Sequence, residues 1–414
     1  MTSTPNGPVR TNSQTGSMAN AGEVLVRTKI LLLGLRRSGK TSIQQVLFNN
    51  LPPKECFYLD ATMRIVKHTY DTVIPLEIWD CPGNTTVESL GAPLSQFATL
   101  IFVIDIRDLY NQPISKLVEF IMAAYHQNPN LNLEVFVHKA ERLHEDDKIE
   151  NFRQINERVT DRLLDESPEY EQLPLNFHLT SIHDHSLHDA FSQVLHKLID
   201  SLPYLEDLLN VFCTNSQSPK AFLFDARSRL YVATDASPVD SATHNLCCDN
   251  LAMLNSFGAL YKSVSASPAR HRFPSTATPP PSAASTTPVT PLSMSSNLDS
   301  EKQSESTDSR TPSPLSSPPA PPVSKPLSAP DTNLGQARKT PKEKFYSSAA
   351  TSLHPATPGT TLTYHMITPE LVLLALLPTP VFEGKRGLID YNVVFFREGV
   401  QEICSVEKEA RMAV

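Results

Sequence analysis

Apolar positions between residues 23 and 202 fall into five short runs, separated by segments with a helical period. The runs occupy residues 26–33, 76–80, 100–105, 135–138 and 175–179. The helical patterns between them cover residues 40–48, 113–126, 149–164 and 187–198. Strands and helices that alternate at this pitch predict a doubly wound α/β sheet, in which ligand-binding groups gather where the strands end.

The pattern changes after residue 203. A helical pattern over residues 204–212 leads to two short strand patterns at 221–224 and 230–233, and then to a helix over 240–261. Much later in the chain, a strand at 370–377 and a helix at 390–404 follow. This mixture predicts a smaller α+β domain that a long insert divides into two parts.

The composition of the intervening segment defines that insert. Residues 263–362 hold 18 of the 35 prolines, together with 34 serines and threonines. Such a stretch buries too little apolar surface to offset the entropy that is lost on ordering. The sequence therefore predicts a disordered tail at 1–22, a first domain at 23–202, a second domain at 203–262 and 363–414, and a disordered insert at 263–362.

Charge and hydropathy exclude several functions. The chain has 36 Lys and Arg against 44 Asp and Glu, and this net charge of −8 argues against non-specific nucleic-acid binding. No run approaches the ~20 apolar residues of a membrane span, and the N-terminus lacks the apolar core of a signal peptide. We therefore expect a cytoplasmic protein without direct membrane insertion, which a partner recruits to any membrane.

A phosphate-binding motif lies between the first predicted strand and the first predicted helix. Residues 34–41 match GxxxxGK[ST] at every fixed position. The glycines let backbone N–H groups close around phosphate oxygens, and the following helix points its positive N-terminus at them. Lys40 is expected to reach the β- and γ-phosphates, and the Thr41 hydroxyl to coordinate Mg²⁺.

The ends of later strands carry further candidate groups. Asp80 ends the second strand, where a carboxylate can hold Mg²⁺ directly or through water. Gly83 completes a DxxG pattern, in which a flexible backbone N–H can sense the γ-phosphate. Both positions are consistent with a nucleoside triphosphate as the ligand.

Two more segments point to the base of that nucleotide. The fourth strand ends at His138 and Lys139, with Glu141 two residues on, where guanine-binding proteins place NKxD. There the lysine stem lies along the purine, and the acid accepts hydrogen bonds from the guanine ring. Ser181 and Ile182 follow the fifth strand, where a backbone N–H meets the guanine carbonyl oxygen.

These segments, in this order, resemble the Rag family of GTPases, and within it the C/D branch with its fungal counterpart. The resemblance rests on residues 34–42, 138–139, 179–186, 220–225, 233–240, 246–249 and 387–392. It implies a P-loop Ras-like G domain followed by a roadblock/longin-like α+β domain. It also implies GTP and GDP as ligands, with Mg²⁺ as the cofactor.

The same resemblance implies partners and a location. The chain is expected to pair through its C-terminal domain with a RagA/B-type subunit, and the pair to bind a Ragulator/EGO-type membrane scaffold. The output is expected to be a relay of amino-acid availability to the TOR kinase complex. The location is then peripheral, on the cytosolic face of the vacuole or lysosome.

By this resemblance, Thr62 is the switch threonine that meets Mg²⁺ and the γ-phosphate. The expected metal ligands are therefore Thr41, Thr62 and Asp80. The residues expected to bind the nucleotide come from the phosphate loop, the two switch segments and the base-reading segments: Gly34, Arg36, Arg37, Ser38, Gly39, Lys40, Thr41, Ser42, Thr62, Gly83, His138, Lys139, Glu141, Ser181 and Ile182.

Two residues depart from the family pattern. Glu141 stands where the base-reading aspartate is expected, and Asn84 where the glutamine that orients the attacking water is expected. The candidate catalytic residues are thus Lys40 and Asn84. The leading hypothesis is a slow, partner-stimulated GTPase switch. The alternatives are a nucleotide-bound scaffold subunit that has lost hydrolysis, and a P-loop ATPase or small-molecule kinase.

Overall fold

A computed structural model describes residues 26–108, 111–258, 346–353 and 359–412. The first domain is a sheet with flanking helices. Its strands are β1 (Thr28–Gly34), β2 (Val66–Asp71), β3 (Pro75–Asp80), β4 (Thr99–Asp105), β5 (Asn132–His138) and β6 (Leu175–Thr180). Its helices are α1 (Lys40–Asn49), α2 (Asn111–Gln127), α3 (Glu145–Glu166) and α4 (Ser186–His196).

The strands of this domain form a mixed sheet in the order β2-β3-β1-β4-β5-β6. β1 pairs in parallel with both β3 and β4, and β5 continues the parallel part to β6. Strand β2 is antiparallel to β3. Because the other strands run in one direction, their carboxyl ends meet at one edge of the sheet. The doubly wound sheet expected from the sequence is confirmed.

The apolar runs become strands because helices and loops cover both faces of the sheet. Alternate residues of a strand point to opposite faces. Ile30 and Leu32 accordingly lie in one hydrophobic cluster, and Leu31 and Leu33 in the other. Each of these side chains is at most 1% exposed. A strand buried on both faces reads as a continuous apolar run, which is the pattern that the sequence shows.

The second domain is an antiparallel sheet with helices. Its elements are α5 (Leu202–Ser216), β7 (Lys220–Asp225), β8 (Tyr231–Thr234), α6 (Ser241–Gly258), β9 (Ser348–Ser352), β10 (Thr360–Met366), β11 (Leu371–Pro378), α7 (Thr379–Gly384) and α8 (Arg386–Met412). The strand order is β8-β7-β11-β10-β9. Helices α5 and α8 pack together, with the rings of Phe212 and Phe396 5.9 Å apart. No helix in the described ranges is long and apolar enough to cross a membrane.

The structure places the return to the second domain earlier than the sequence analysis does. Strand β9 and the start of β10 lie within residues 263–362, which the sequence analysis assigns to the insert. The second domain therefore resumes by residue 346 rather than at 363. β9 contains only serine, alanine and threonine and lies at the edge of its sheet, so composition does not distinguish it from the segment before it. The tail at 1–22 and the insert up to residue 345 lie outside the described residues.

Strand β2 is another element that the apolar pattern does not predict. Its sequence, Val-Lys-His-Thr-Tyr-Asp, has no buried residue. An antiparallel edge strand exposes much of its surface, so it lacks the apolar run of its neighbours. Helix α8 also runs well beyond the predicted 390–404, because its later turns are mostly polar and leave a weaker apolar pattern.

The two domains share a core through α4. The Tyr231 hydroxyl of β8 donates a hydrogen bond to Asp189 Oδ1 at 2.7 Å, and its backbone N–H donates to Ser192 Oγ at 3.0 Å. Both acceptors lie on α4 of the first domain. One hydrophobic cluster continues across this contact, from Phe191 of α4 to Leu230 beside β8. Helix α4, which follows β6, therefore packs against the second domain as well as the first.

Candidate functional site

The loop that joins β1 to α1 has the backbone that a phosphate loop requires. Gly34 and Gly39 have φ values of +141° and +111°, which residues with a side chain rarely adopt. A side chain at Gly39 would also come within 2.6 Å of the His138 ring. The two glycines let the chain turn back directly before α1, so that the first N–H groups of the helix can meet an anion.

Lys40 begins α1 and is 6% exposed. Its Nζ donates hydrogen bonds to the backbone carbonyls of Gly34 at 3.0 Å and Leu35 at 2.9 Å. Burial lowers the pKa of Lys40 to about 8, although the nearby Asp80 carboxylate opposes this shift. Neutral carbonyls compensate a buried ammonium group less well than an anion does, so phosphate oxygens suit this position.

Two hydroxyls and a carboxylate converge beside Lys40. The Thr41 and Thr62 hydroxyls contact Asp80 Oδ2 at 2.7 Å and 3.0 Å, and lie 2.8 Å from each other. Asp80 is 1% exposed, and its Oδ1 has no hydrogen-bond partner among the described residues. A set of hard oxygen donors with one buried carboxylate oxygen left over fits Mg²⁺. The structure therefore brings together the three predicted metal ligands.

Gly83 lies directly against the phosphate loop. A Cβ at this position would overlap the backbone nitrogen of Arg36 and come within 2.6 Å of its Cα. This close approach leaves room for glycine alone and places the Gly83 peptide beside the loop. Asn84, the next residue, is exposed. Its contribution to hydrolysis stays a prediction.

The ends of β5 and β6 bring together the residues that the sequence predicts to read the base. Ser181 Oγ donates a hydrogen bond to Glu141 Oε2 at 2.6 Å. Lys139 has a left-handed backbone with φ of +66°, and its Nζ donates to the backbone carbonyl of Arg37. The base-reading segment is thereby tied to the phosphate loop. Glutamate is longer than the aspartate of the family pattern, and in this chain the Glu141 carboxylate accepts a hydrogen bond from Ser181.

His138 ends β5 and places a buried, uncharged ring beside Gly39 of the phosphate loop. It is 1% exposed, and its Nδ1 lies 2.9 Å from Thr180 Oγ1. Burial lowers the pKa of His138 to about 3, with a smaller contribution from the neighbouring Lys139. The imidazole is therefore uncharged at neutral pH and acts through its shape and its hydrogen bond.

The remaining predicted residues surround this centre. Ser38 is 3% exposed, and its Oγ has no hydrogen-bond partner within the described ranges. The side chains of Arg36 and Arg37 are exposed at the surface of the loop, and Ser42 is partly buried on α1. The Ile182 side chain is partly buried at the edge of a hydrophobic cluster, and the contact of its backbone with the base stays a prediction.

The sequence analysis did not identify Asp105 as part of the site. Asp105 ends β4, and its Oδ2 accepts hydrogen bonds from Lys139 at 2.9 Å and Arg107 at 2.8 Å. Burial raises the pKa of Asp105, but the hydrogen bonds from Arg107 and Lys139 outweigh burial and lower it to about 2. The sequence signal that could have identified Asp105 is an acid at the end of a buried strand. In the structure, Asp105 fixes the position of the Lys139 ammonium group.

Lys116 is a second residue that sequence reasoning missed. It lies on α2, and its Nζ donates a hydrogen bond to the backbone carbonyl of Gly83 at 2.9 Å. No motif includes this lysine, because the contact joins positions that are 33 residues apart. Only a tertiary contact between α2 and the loop after β3 brings them together.

Comparisons with known proteins agree with this geometry. The sequence profile of the Gtr1/RagA G protein conserved region matches residues 29–251. GTP-binding protein gtr2 of Schizosaccharomyces pombe is 43% identical over 237 residues, which cover 56% of this chain and 75% of the relative. Ras-related GTP-binding protein C of Homo sapiens is also 43% identical, over 57% of this chain and 60% of the relative.

A relative from another branch shows lower identity. GTP-binding protein gtr1 of Schizosaccharomyces pombe is 27% identical over 228 residues, which cover 53% of this chain and 71% of the relative. The matched profile spans more than half of the chain, and the higher identities are to gtr2 and to the C protein. This chain therefore belongs to the Gtr1/RagA family of G proteins, as a member of its RagC/Gtr2 type.

Proposed function

We propose that this chain is the RagC/Gtr2-type subunit of a Rag heterodimer, which switches between GTP and GDP and relays amino-acid availability to the TOR kinase complex. As a member of its family, it is a GTP-binding protein and a GTPase. One observation supports the nucleotide site above all. The buried Lys40, the cluster of Thr41, Thr62 and Asp80, and the pair of Glu141 and Ser181 meet where the parallel strands of one sheet end.

Different residues of the chain bind the phosphates and the base. Lys40 and the N–H groups at the start of α1 hold the phosphates, while Lys139 lies along the purine. Thr41, Thr62 and Asp80 are the residues that would hold Mg²⁺, which supplies positive charge to the β- and γ-phosphates when it is bound. Thr62 lies in an irregular segment, so its contact is suited to forming and breaking with nucleotide state.

Base choice gives the experiment that tests this function. The charge-assisted contacts of Glu141 with guanine need its longer stem to fold back, so we expect Glu141→Asp to tighten GTP and GDP binding several-fold and to leave ATP binding unchanged. The measurement is equilibrium titration of the full chain with each nucleotide. Wild-type protein that prefers ATP would instead support a P-loop ATPase or kinase.

The pairing proposal concerns the second domain. Relatives of both the RagC/Gtr2 and the Gtr1 types exist, which is consistent with a RagA/B-type partner. Because the five described strands of the antiparallel sheet all lie outside residues 268–344, deletion of that segment should leave the heterodimer intact. Co-purification with the partner after the deletion measures this, and truncation at Pro203 is the variant expected to lose pairing. A complex lost on deletion of 268–344 would give the insert a role in pairing.

We also propose that the heterodimer reaches the cytosolic face of the vacuole or lysosome through a Ragulator/EGO-type scaffold. The proposal follows from the pairing above, because the scaffold is expected to bind the paired C-terminal domains. The purified heterodimer provides the test. It should float with liposomes when the scaffold is present on them, and flotation with protein-free liposomes would contradict the proposal.

A further inference from the structure

Lys116 connects helix α2 to the segment that is expected to sense the γ-phosphate. Its side chain is partly buried, and its Nζ lies 2.9 Å from the carbonyl oxygen of Gly83. A hydrogen bond to this carbonyl fixes the peptide that joins Gly83 to Asn84. Glycine leaves that peptide free to rotate, so the restraint has to come from another residue.

The segment after Gly83 is restrained at other points as well. The N–H and hydroxyl of Thr85 both donate to the carbonyl of Pro82, at 3.2 Å and 2.9 Å. At the far end, the Leu94 N–H donates to Gln127 Oε1 at 2.8 Å. Gln127 is the last residue of α2, whereas Lys116 lies in its second turn. Helix α2 therefore holds both ends of the segment 83–94.

The charge of Lys116 also lies close to the phosphate loop. Its ammonium group is held at the carbonyl of Gly83, and Gly83 packs directly against Arg36 of that loop. A γ-phosphate that contacts Gly83 is attracted by this charge, whereas GDP brings one phosphate fewer.

We propose that Lys116 is a positioning residue that orients Gly83 for the γ-phosphate and thereby sets the preference for GTP over GDP. The inference rests on the proposed function, because it assumes a guanine nucleotide at this site. A lysine that merely anchored α2 would affect both nucleotides equally. A lysine that positions Gly83 affects the triphosphate more, because GDP lacks the γ-phosphate that Gly83 is expected to sense.

The test compares two substitutions of Lys116 in the full chain. Lys116→Met removes the ammonium group and keeps most of the apolar stem, whereas Lys116→Arg keeps a cationic donor. We expect Lys116→Met to weaken binding of a non-hydrolysable GTP analogue about tenfold relative to GDP, which corresponds to about 1.4 kcal/mol. Lys116→Arg should keep the ratio of the two dissociation constants within about threefold of wild type.

A matched control comes from the second domain. Lys385 donates a comparable single hydrogen bond, to Gln217 Oε1 at 3.0 Å. It lies between α7 and α8, and none of the residues predicted to bind phosphate belongs to this domain. Lys385→Met should leave both dissociation constants unchanged. If Lys116→Met unfolds, Lys116→Gln removes the charge with less change in polarity and is expected to shift the ratio in the same direction.

Two results would overturn the inference. Equal losses for the GTP analogue and for GDP would make Lys116 a structural anchor, and an unchanged ratio would make its hydrogen bond to Gly83 irrelevant to nucleotide state. Failure of the proposed function has a different signature, since the wild-type chain would then bind neither guanine nucleotide. The wild-type titration is therefore run first and separates the two conclusions.

Discussion

Replacement of Lys40 by methionine should reduce binding of GTP and GDP by roughly 10²–10⁴-fold, because two charge-assisted hydrogen bonds worth about 1.5–3 kcal/mol each are lost. The ammonium group is expected to reach two phosphates, whereas the side chains of Arg36 and Arg37 in the same loop are exposed at the surface. Folding should not suffer. Burial disfavours the charged form of Lys40 and lowers its pKa to about 8. Methionine fills a similar space without a charge and avoids this desolvation cost.

Titration with fluorescent guanine nucleotides measures this loss, and thermal unfolding without nucleotide checks the fold. Lys29→Met is the matched control, because Lys29 lies near the opposite end of β1 and donates to Gln96 Oε1 at 3.0 Å on the surface. The control should bind like wild type. Unchanged affinity in Lys40→Met, with the fold intact, would show that the loop from Gly34 to Thr41 does not hold the phosphates.

Asp80→Asn should abolish the effect of Mg²⁺ on nucleotide binding without destabilising the protein. A metal ion at a phosphate contributes several kcal/mol of charge stabilisation, so affinity in Mg²⁺ should fall about a hundredfold. Stability in EDTA should be equal to wild type or higher. The carboxylate is 1% exposed with Oδ1 unpartnered among the described residues, and the neutral amide avoids part of that desolvation cost.

Nucleotide titrations in Mg²⁺ and in EDTA, with thermal unfolding in each, separate the two effects. Wild type should differ between the two conditions, and Asp80→Asn should not. Asp71→Asn is the control, since this carboxylate is 77% exposed on β2 and pairs with Arg27 at 2.8 Å. A variant of Asp80 that kept the full Mg²⁺ effect would remove Asp80 from the metal site.

The parts of the site that the sequence predicts are those encoded in short, continuous segments. The phosphate loop is one such segment, because its glycines and lysine act through a local turn and the helix that follows. Asp80 and Gly83 were found for the same reason, since each ends or follows a buried strand. Local chemistry at the end of an apolar run identifies a residue before any tertiary contact is known.

The residues that were missed depend on packing between distant segments. Lys116 contacts Gly83 across 33 positions, and Asp105 contacts Lys139 across 34 positions. Neither of these two contacts joins positions at a spacing that a motif could record. Strand β9 was missed for a different reason, because an edge strand without large apolar residues has the composition of the segment that precedes it.

The shared core around α4 has a thermodynamic consequence. A ligand present at a thousandfold excess over its dissociation constant stabilises the folded chain by about 4 kcal/mol. Since α4 packs on β8 through Tyr231 and a common hydrophobic cluster, opening the first domain would also uncover the second. We therefore expect guanine nucleotide to protect the second domain from proteolysis as well as the domain that binds it. The resistance of the whole chain to degradation would then depend on the supply of its ligand.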